Sequence, residues 1–87
     1  MWIVLYNLLY IMAKHRSKLK IESRLHVLRA ERRLTQQELA EEVGVTRATI
    51  VAIEKGNYNP SLELAFLIAN YFNTTINSIF SASEERW

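Results

Sequence analysis

The stretch from Leu34 to Glu54 constrains this chain more than any other, because it carries start and stop signals for two short helices and leaves room only for a sharp corner between them. Thr35 is placed to cap a helix whose third position is Glu38, the reciprocal capping-box arrangement. Gly44 follows the apolar Val43, where a chain leaving a helix needs a positive φ that glycine reaches without a Cβ clash. Two residues on, Thr46 can cap a second helix in which Ile50 and Ile53 share a face. The two helices therefore meet at a steep angle.

The small Ala40 lets them approach, and Leu39, Val43, Val45, Ile50 and Ile53 supply the apolar seam. Arg47, Ala48, Val51 and Ala52 are left pointing outward. A rigid second helix with one free face is what enters a DNA major groove about 12 Å wide. The same pattern on its own also fits a helical hairpin inside a generic bundle.

Longer matches favour the first reading. Leu28-Arg29, Leu34-Thr35-Gln36-Gln37-Glu38-Leu39-Ala40, Gly44-Val45-Thr46, Ile50, Ile53-Glu54-Lys55-Gly56, Asn59-Pro60-Ser61-Leu62, Ala69 and Ile79-Phe80 occur in that order. In this the segment from Leu25 to Phe80 resembles the Cro and lambda-repressor (XRE) family of helix-turn-helix regulators. It is most similar to the very small dimeric repressors such as the cytolysin repressor. The resemblance implies an all-α, five-helix DNA-binding domain, double-stranded DNA as partner, a homodimer and transcriptional repression.

Composition agrees. The net charge is only +2, but Lys14 to Lys55 carries ten Lys or Arg against six Glu, whereas Gly56 to Trp87 carries one Arg against three Glu. The half with the capped pair is the basic half, as phosphate contact requires. There is no cysteine, which suits a reducing cytoplasm and removes thiolate chemistry. His15 and His26 have no neighbours at ligand spacing, so neither a metal nor any other cofactor is expected. No nucleophile, base and acid converge, so catalysis is not expected.

Periodicity and turn chemistry place helices at 22–33, 36–43, 47–54, 62–72 and 76–80. Gly56-Asn57-Tyr58-Asn59-Pro60-Ser61 forms the turn before the fourth helix. The domain proper is expected over 21–80 with a short tail at 81–87. Residues 1–20 form an apolar prefix and a basic arm whose order the sequence leaves open. The prefix, Met1 to Met12, would be about 18 Å long as a helix, short of the roughly 30 Å of a bilayer core. It reads in three ways: as an extension ahead of a true start at Met12, as a surface packing on the domain or a second copy, or as an interfacial membrane anchor. In the last, Trp2, Tyr6 and Tyr10 would sit beside Lys14-His15-Arg16-Ser17-Lys18-Leu19-Lys20. That basic stretch is otherwise a solvated arm, or one that lies along phosphates.

The fourth helix holds more apolar residues than one core face can use. Ala65, Ile68, Ala69 and Phe72 match core positions of the family. Leu67 and Tyr71, with Ile76 and Ile79 nearby, are the surplus, and they are the expected dimer interface. Such a dimer would present two copies of the third helix about 34 Å apart, one turn of DNA.

Gln36, at a helix N-terminus, is the expected phosphate site, as the matching glutamine is in the family. Thr46, Lys55, Asn57 and Tyr58 flank it on the other side. Arg47 is the side chain best suited to read a base, since a guanidinium can bond guanine O6 and N7 together. Ala48 and Ala52 stand where relatives often carry polar readers, so direct readout is thin. Thr49 and Val51 add small contacts, and DNA shape carries a large share. Arg29 and Glu54 match the family's salt bridge between the first and third helices, a structural role. The rival reading is an antitoxin or other protein-interaction module built on the same fold, with the apolar prefix as its only obvious extra surface.

Overall fold

The computed structural model describes residues 2–14 and 17–86. It contains, in order, α1 (Trp2–Lys14), β1 (Ser17–Ser23), α2 (Leu25–Glu31), α3 (Gln36–Val43), α4 (Arg47–Lys55), α5 (Leu62–Tyr71), α6 (Ile76–Ile79) and β2 (Phe80–Arg86).

Local signals fix the boundaries of the central helices. The Thr35 hydroxyl accepts from Glu38 N at 3.0 Å while the Glu38 carboxylate accepts from Thr35 N at 2.9 Å, so α3 opens on a complete capping box. Gly44 closes it at φ 76°. Thr46 and Ser61 cap α4 and α5 through their hydroxyls, and Gly56 ends α4 at φ 78°. At the end of α2, Arg32 donates to the carbonyls of Tyr71 and Phe72 at 3.1 and 2.9 Å and lies over both rings. One arginine thus ties the C-terminus of α2 to that of α5.

Leu25, Leu39, Ile50, Ile53, Ile68 and Ile79 are fully buried and form the centre of the core. Leu64, Ala65, Ala69 and Phe72 close it from α5 and its end, with Leu28, Leu34 and Val45 packed around it.

The architecture is all-α apart from a two-stranded antiparallel sheet that the sequence reading does not contain. Strand β1 pairs with β2 from Ser17↔Arg86 to Ser23↔Phe80. This corrects three expectations. Helix α2 begins at Leu25 rather than at residue 22, because the preceding residues belong to the ladder; Arg24 N donates to Ile79 O at 2.7 Å and Ser23 Oγ accepts from Leu25 N at 3.0 Å. The supposed arm at 17–20 is strand, and so is the supposed tail at 81–86. The cause is non-local: each strand is short and polar, and extends only because the other is there. Arm residues 15 and 16 lie outside the described residues.

Helix α1 carries the apolar prefix, and its side chains from Trp2 to Leu9 are exposed. No helix among the described residues is long and apolar enough to cross a membrane.

Candidate nucleic-acid interface

Helices α3 and α4 pack against each other around the Gly44 corner, which leaves the first turn of α4 on the surface. Arg47 and Ala48 are exposed there, and Thr46 beside them is exposed as well. Thr49, Val51 and Ala52 are half-buried, less free than their helical positions suggest. Lys55, the last residue of α4, is exposed, and so are Asn57 and Tyr58 in the turn that follows Gly56. The residues expected to meet DNA run from the start of α3 through α4 to the loop behind it, all of them at least partly exposed. The Thr46 and Thr49 hydroxyls bond each other at 3.1 Å within that run.

Beneath it lies an ion pair. Arg29 Nε donates to Glu54 Oε2 at 2.8 Å, Arg29 Nη2 to Glu54 Oε1 at 3.3 Å, and Arg29 Nη1 to the Leu34 carbonyl at 2.8 Å. The Glu54 side chain is only 8 % exposed and that of Arg29 21 %, so the pair is largely withdrawn from water. Burial by itself raises the Glu54 carboxyl, but hydrogen bonds from Arg29 and Gln36, with the charge of Arg29, outweigh it and hold the group below the usual carboxylate range. The bridge joins α2 to α4 and so fixes the angle at which the exposed helix stands.

The pair is linked to the surface by Gln36, whose Nε2 donates to Glu54 Oε1 at 3.0 Å and whose Oε1 accepts from Arg47 Nη2 at 3.1 Å. Sequence reasoning treats Gln36 and Arg47 as separate contacts. The structure joins them, with residues 11 and 18 positions apart brought into one chain of bonds that no local signal announces.

The expected dimer residues divide. Leu67 is 44 % exposed, and Tyr71 and Ile76 are half-buried. Ile79 is 1 % exposed and belongs to the core, because α6 turns it inward against the helices. Two further apolar residues of α5, Leu62 and Phe66, are 70 % and 52 % exposed. Among the described residues there is no cluster of side chains able to hold a metal.

A capped, cross-braced helix pair with the first turn of its second helix presented to solvent defines a helix-turn-helix DNA-binding domain. The helix-turn-helix family model matches residues 25–79, and the chain belongs to that family of XRE, lambda-repressor-like transcriptional regulators. An HTH-type transcriptional regulator of Archaeoglobus fulgidus is 52 % identical over 65 residues, 75 % of this chain and 92 % of that protein. The cryptic phage CTXphi transcriptional repressor RstR of Vibrio cholerae is 39 % identical over 62 residues, 71 % of this chain and 56 % of that protein. Among solved structures, a DNA-binding protein of Bacteroides fragilis superposes with a TM-score of 0.64 at 26 % identity, over 70 % of this chain and 98 % of its own. The protein is a DNA-binding transcriptional regulator, and its relatives are regulators rather than enzymes.

Proposed function

We propose that the chain acts in the cytoplasm as a sequence-specific repressor, binding a two-fold operator as a homodimer with α4 of each copy in the major groove. The observation that carries this reading is the exposed first turn of α4, with Arg47 and Ala48 outward and Gln36 beside them at the start of α3. Gln36, Thr46, Lys55, Asn57 and Tyr58 hold the phosphates on either side of the groove. Arg47 reads a base, while Ala48, Thr49, Val51 and Ala52 offer methyl and hydroxyl contacts. Dimerisation is supported by the apolar surface of α5, where Leu62, Phe66 and Leu67 stand exposed beside the half-buried Tyr71 and Ile76. Repression is supported by the similarity to RstR, a phage transcriptional repressor. Selection of bound fragments from random duplex DNA tests the whole reading. Inverted half-sites with centres about 10 base pairs apart are expected, and no enrichment would sink it.

A second reading is favoured by one feature, the exposed apolar helix α1. On it, the chain is an antitoxin or similar module that uses α1 to hold another protein, or a lipid surface through residues 1–20. Purification from native cells separates these: a stoichiometric second protein supports the module, and flotation with anionic vesicles supports membrane contact.

A further inference from the structure

We propose that Glu54, an interior residue, is a positioning residue for base reading: acting through the Gln36 amide, it sets the direction of the Arg47 guanidinium. The inference rests on the reading of Arg47 as the residue that meets the base.

A glutamine amide donates at one end and accepts at the other. Glu54 is a carboxylate and only accepts, with its Oε1 3.0 Å from Gln36 Nε2; Arg47 only donates, with its Nη2 3.1 Å from Gln36 Oε1. A single orientation of the amide satisfies both neighbours. Turned over, it would set oxygen against carboxylate and NH2 against guanidinium, replacing two bonds by two repulsions. Glu54 cannot follow such a turn, because Arg29 holds both of its oxygens while being anchored itself to the Leu34 carbonyl.

Direction therefore passes outward, from an anion that is 8 % exposed to a cation on the surface. Free in water, an arginine spreads over many rotamers and loses that freedom on binding. Held at one nitrogen, the planar fork of the exposed Arg47 keeps fewer orientations, which lowers the cost of presenting its other donors to a bidentate acceptor. The second proton on Gln36 Nε2 stays available for a phosphate, so positioning and phosphate contact are compatible.

The test measures affinity for the operator and its single-base mutants, at one salt concentration and well below every melting temperature. Discrimination is the ratio between them. A residue that merely supports the fold changes the active fraction and scales all affinities alike, so this ratio does not move. Arg47→Ala is expected to lower it by about 5- to 150-fold at one base position. Glu54→Gln is expected to lower the same ratio by about 2- to 10-fold, the worth of one ordinary hydrogen bond. Gln36→Met, which leaves Arg29 and Glu54 paired, should lower it by a similar factor, and the double variant should lose no more than either single one. Gln36→Met spares the ion pair and tests the Gln36–Arg47 half of the relay. Glu54→Asp, which keeps an anion for Arg29 but draws it back from Gln36, tests the Glu54 half if Glu54→Gln unfolds, and a ratio lowered in Gln36→Met but unchanged in the folded Glu54 variant overturns the role of Glu54. Ratios unchanged in both Gln36→Met and Glu54→Gln, with Arg47→Ala relaxed, overturn the relay and leave Arg47 as the reader. A ratio unchanged in Arg47→Ala overturns both.

Discussion

Arg47 donates to the side-chain oxygen of Gln36 at 3.1 Å, so the first residues of α3 and α4 form one contact unit across the glycine corner. From sequence, Gln36→Ala should weaken all DNA equally, because a phosphate is the same under every base pair. With the bond in place the expectation changes. Gln36→Ala should weaken binding generally and also blur the preference at the base met by Arg47, whereas Arg47→Ala should cost about 1 to 3 kcal/mol at that base alone. Titrations against operator, single-base mutants and random DNA distinguish the two patterns.

Arg29→Ala should damage stability far more than recognition. It removes three hydrogen bonds and leaves the Glu54 side chain, only 8 % exposed, with Gln36 as its remaining hydrogen-bond partner. One-sided loss of such a pair costs about 3 kcal/mol, or roughly 12 to 24 °C in Tm for a domain of this size. Thermal melting, with operator binding measured far below the transition, gives both numbers. A variant that melts normally yet loses the operator would make Arg29 a DNA contact.

Acid should unfold the protein partly through Glu54. Its carboxyl lies below the ordinary value of 4.5 in the folded state, so the folded form binds its proton less readily than the unfolded form does. The stabilisation is complete at neutral pH, declines as pH falls below the ordinary value, and is gone once pH is below the depressed folded value. Between pH 7 and pH 3, Glu54→Gln should therefore show a smaller drop in Tm than wild type.

Gly44 tests backbone against packing. A Cβ there would meet nothing within 4 Å, so only the φ of 76° resists substitution. Gly44→Ala should cost about 1 to 2 kcal/mol, and Gly44→Asn less, because asparagine tolerates the left-handed region. Equal destabilisation by both would mean that space, not φ, selects glycine.

Leu67→Glu should separate association from folding. Leu67 is 44 % exposed, so a charge there is solvated in the monomer but buried in the proposed dimer. Sedimentation should show a shift toward monomer, operator affinity should fall, and the melting of the monomer should hardly change. Tyr71 is a poorer probe, since the Arg32 guanidinium lies over its ring and bonds its carbonyl.

What the sequence made legible was local. Thr35, Glu38, Gly44, Thr46 and Ser61 act within a few residues of themselves, and the helix ends they imply fall within a residue or two of those observed. Arg29 and Glu54 meet as the family resemblance implies. What stayed hidden depends on residues far apart in the chain. The β1 stretch has no strong strand composition, and β2 is Ser-Ala-Ser-Glu-Glu after Phe80, so neither declares itself without the other. Ile79 looked like surplus on a short helix, yet the same ladder draws the end of α6 inward and buries it. The link from Arg47 through Gln36 to Glu54 needs α3 and α4 packed against each other before any of its members touch.

The ladder also dictates an order of events. Strands β1 and β2 lie on opposite sides of the whole helical domain in sequence, so closing them means closing the longest loop in the molecule. The capped helices, built from near neighbours, are expected to form first, with the strands zipping onto them afterwards. On the ribosome, β1 must wait with its backbone unpaired until residues 80–86 have emerged.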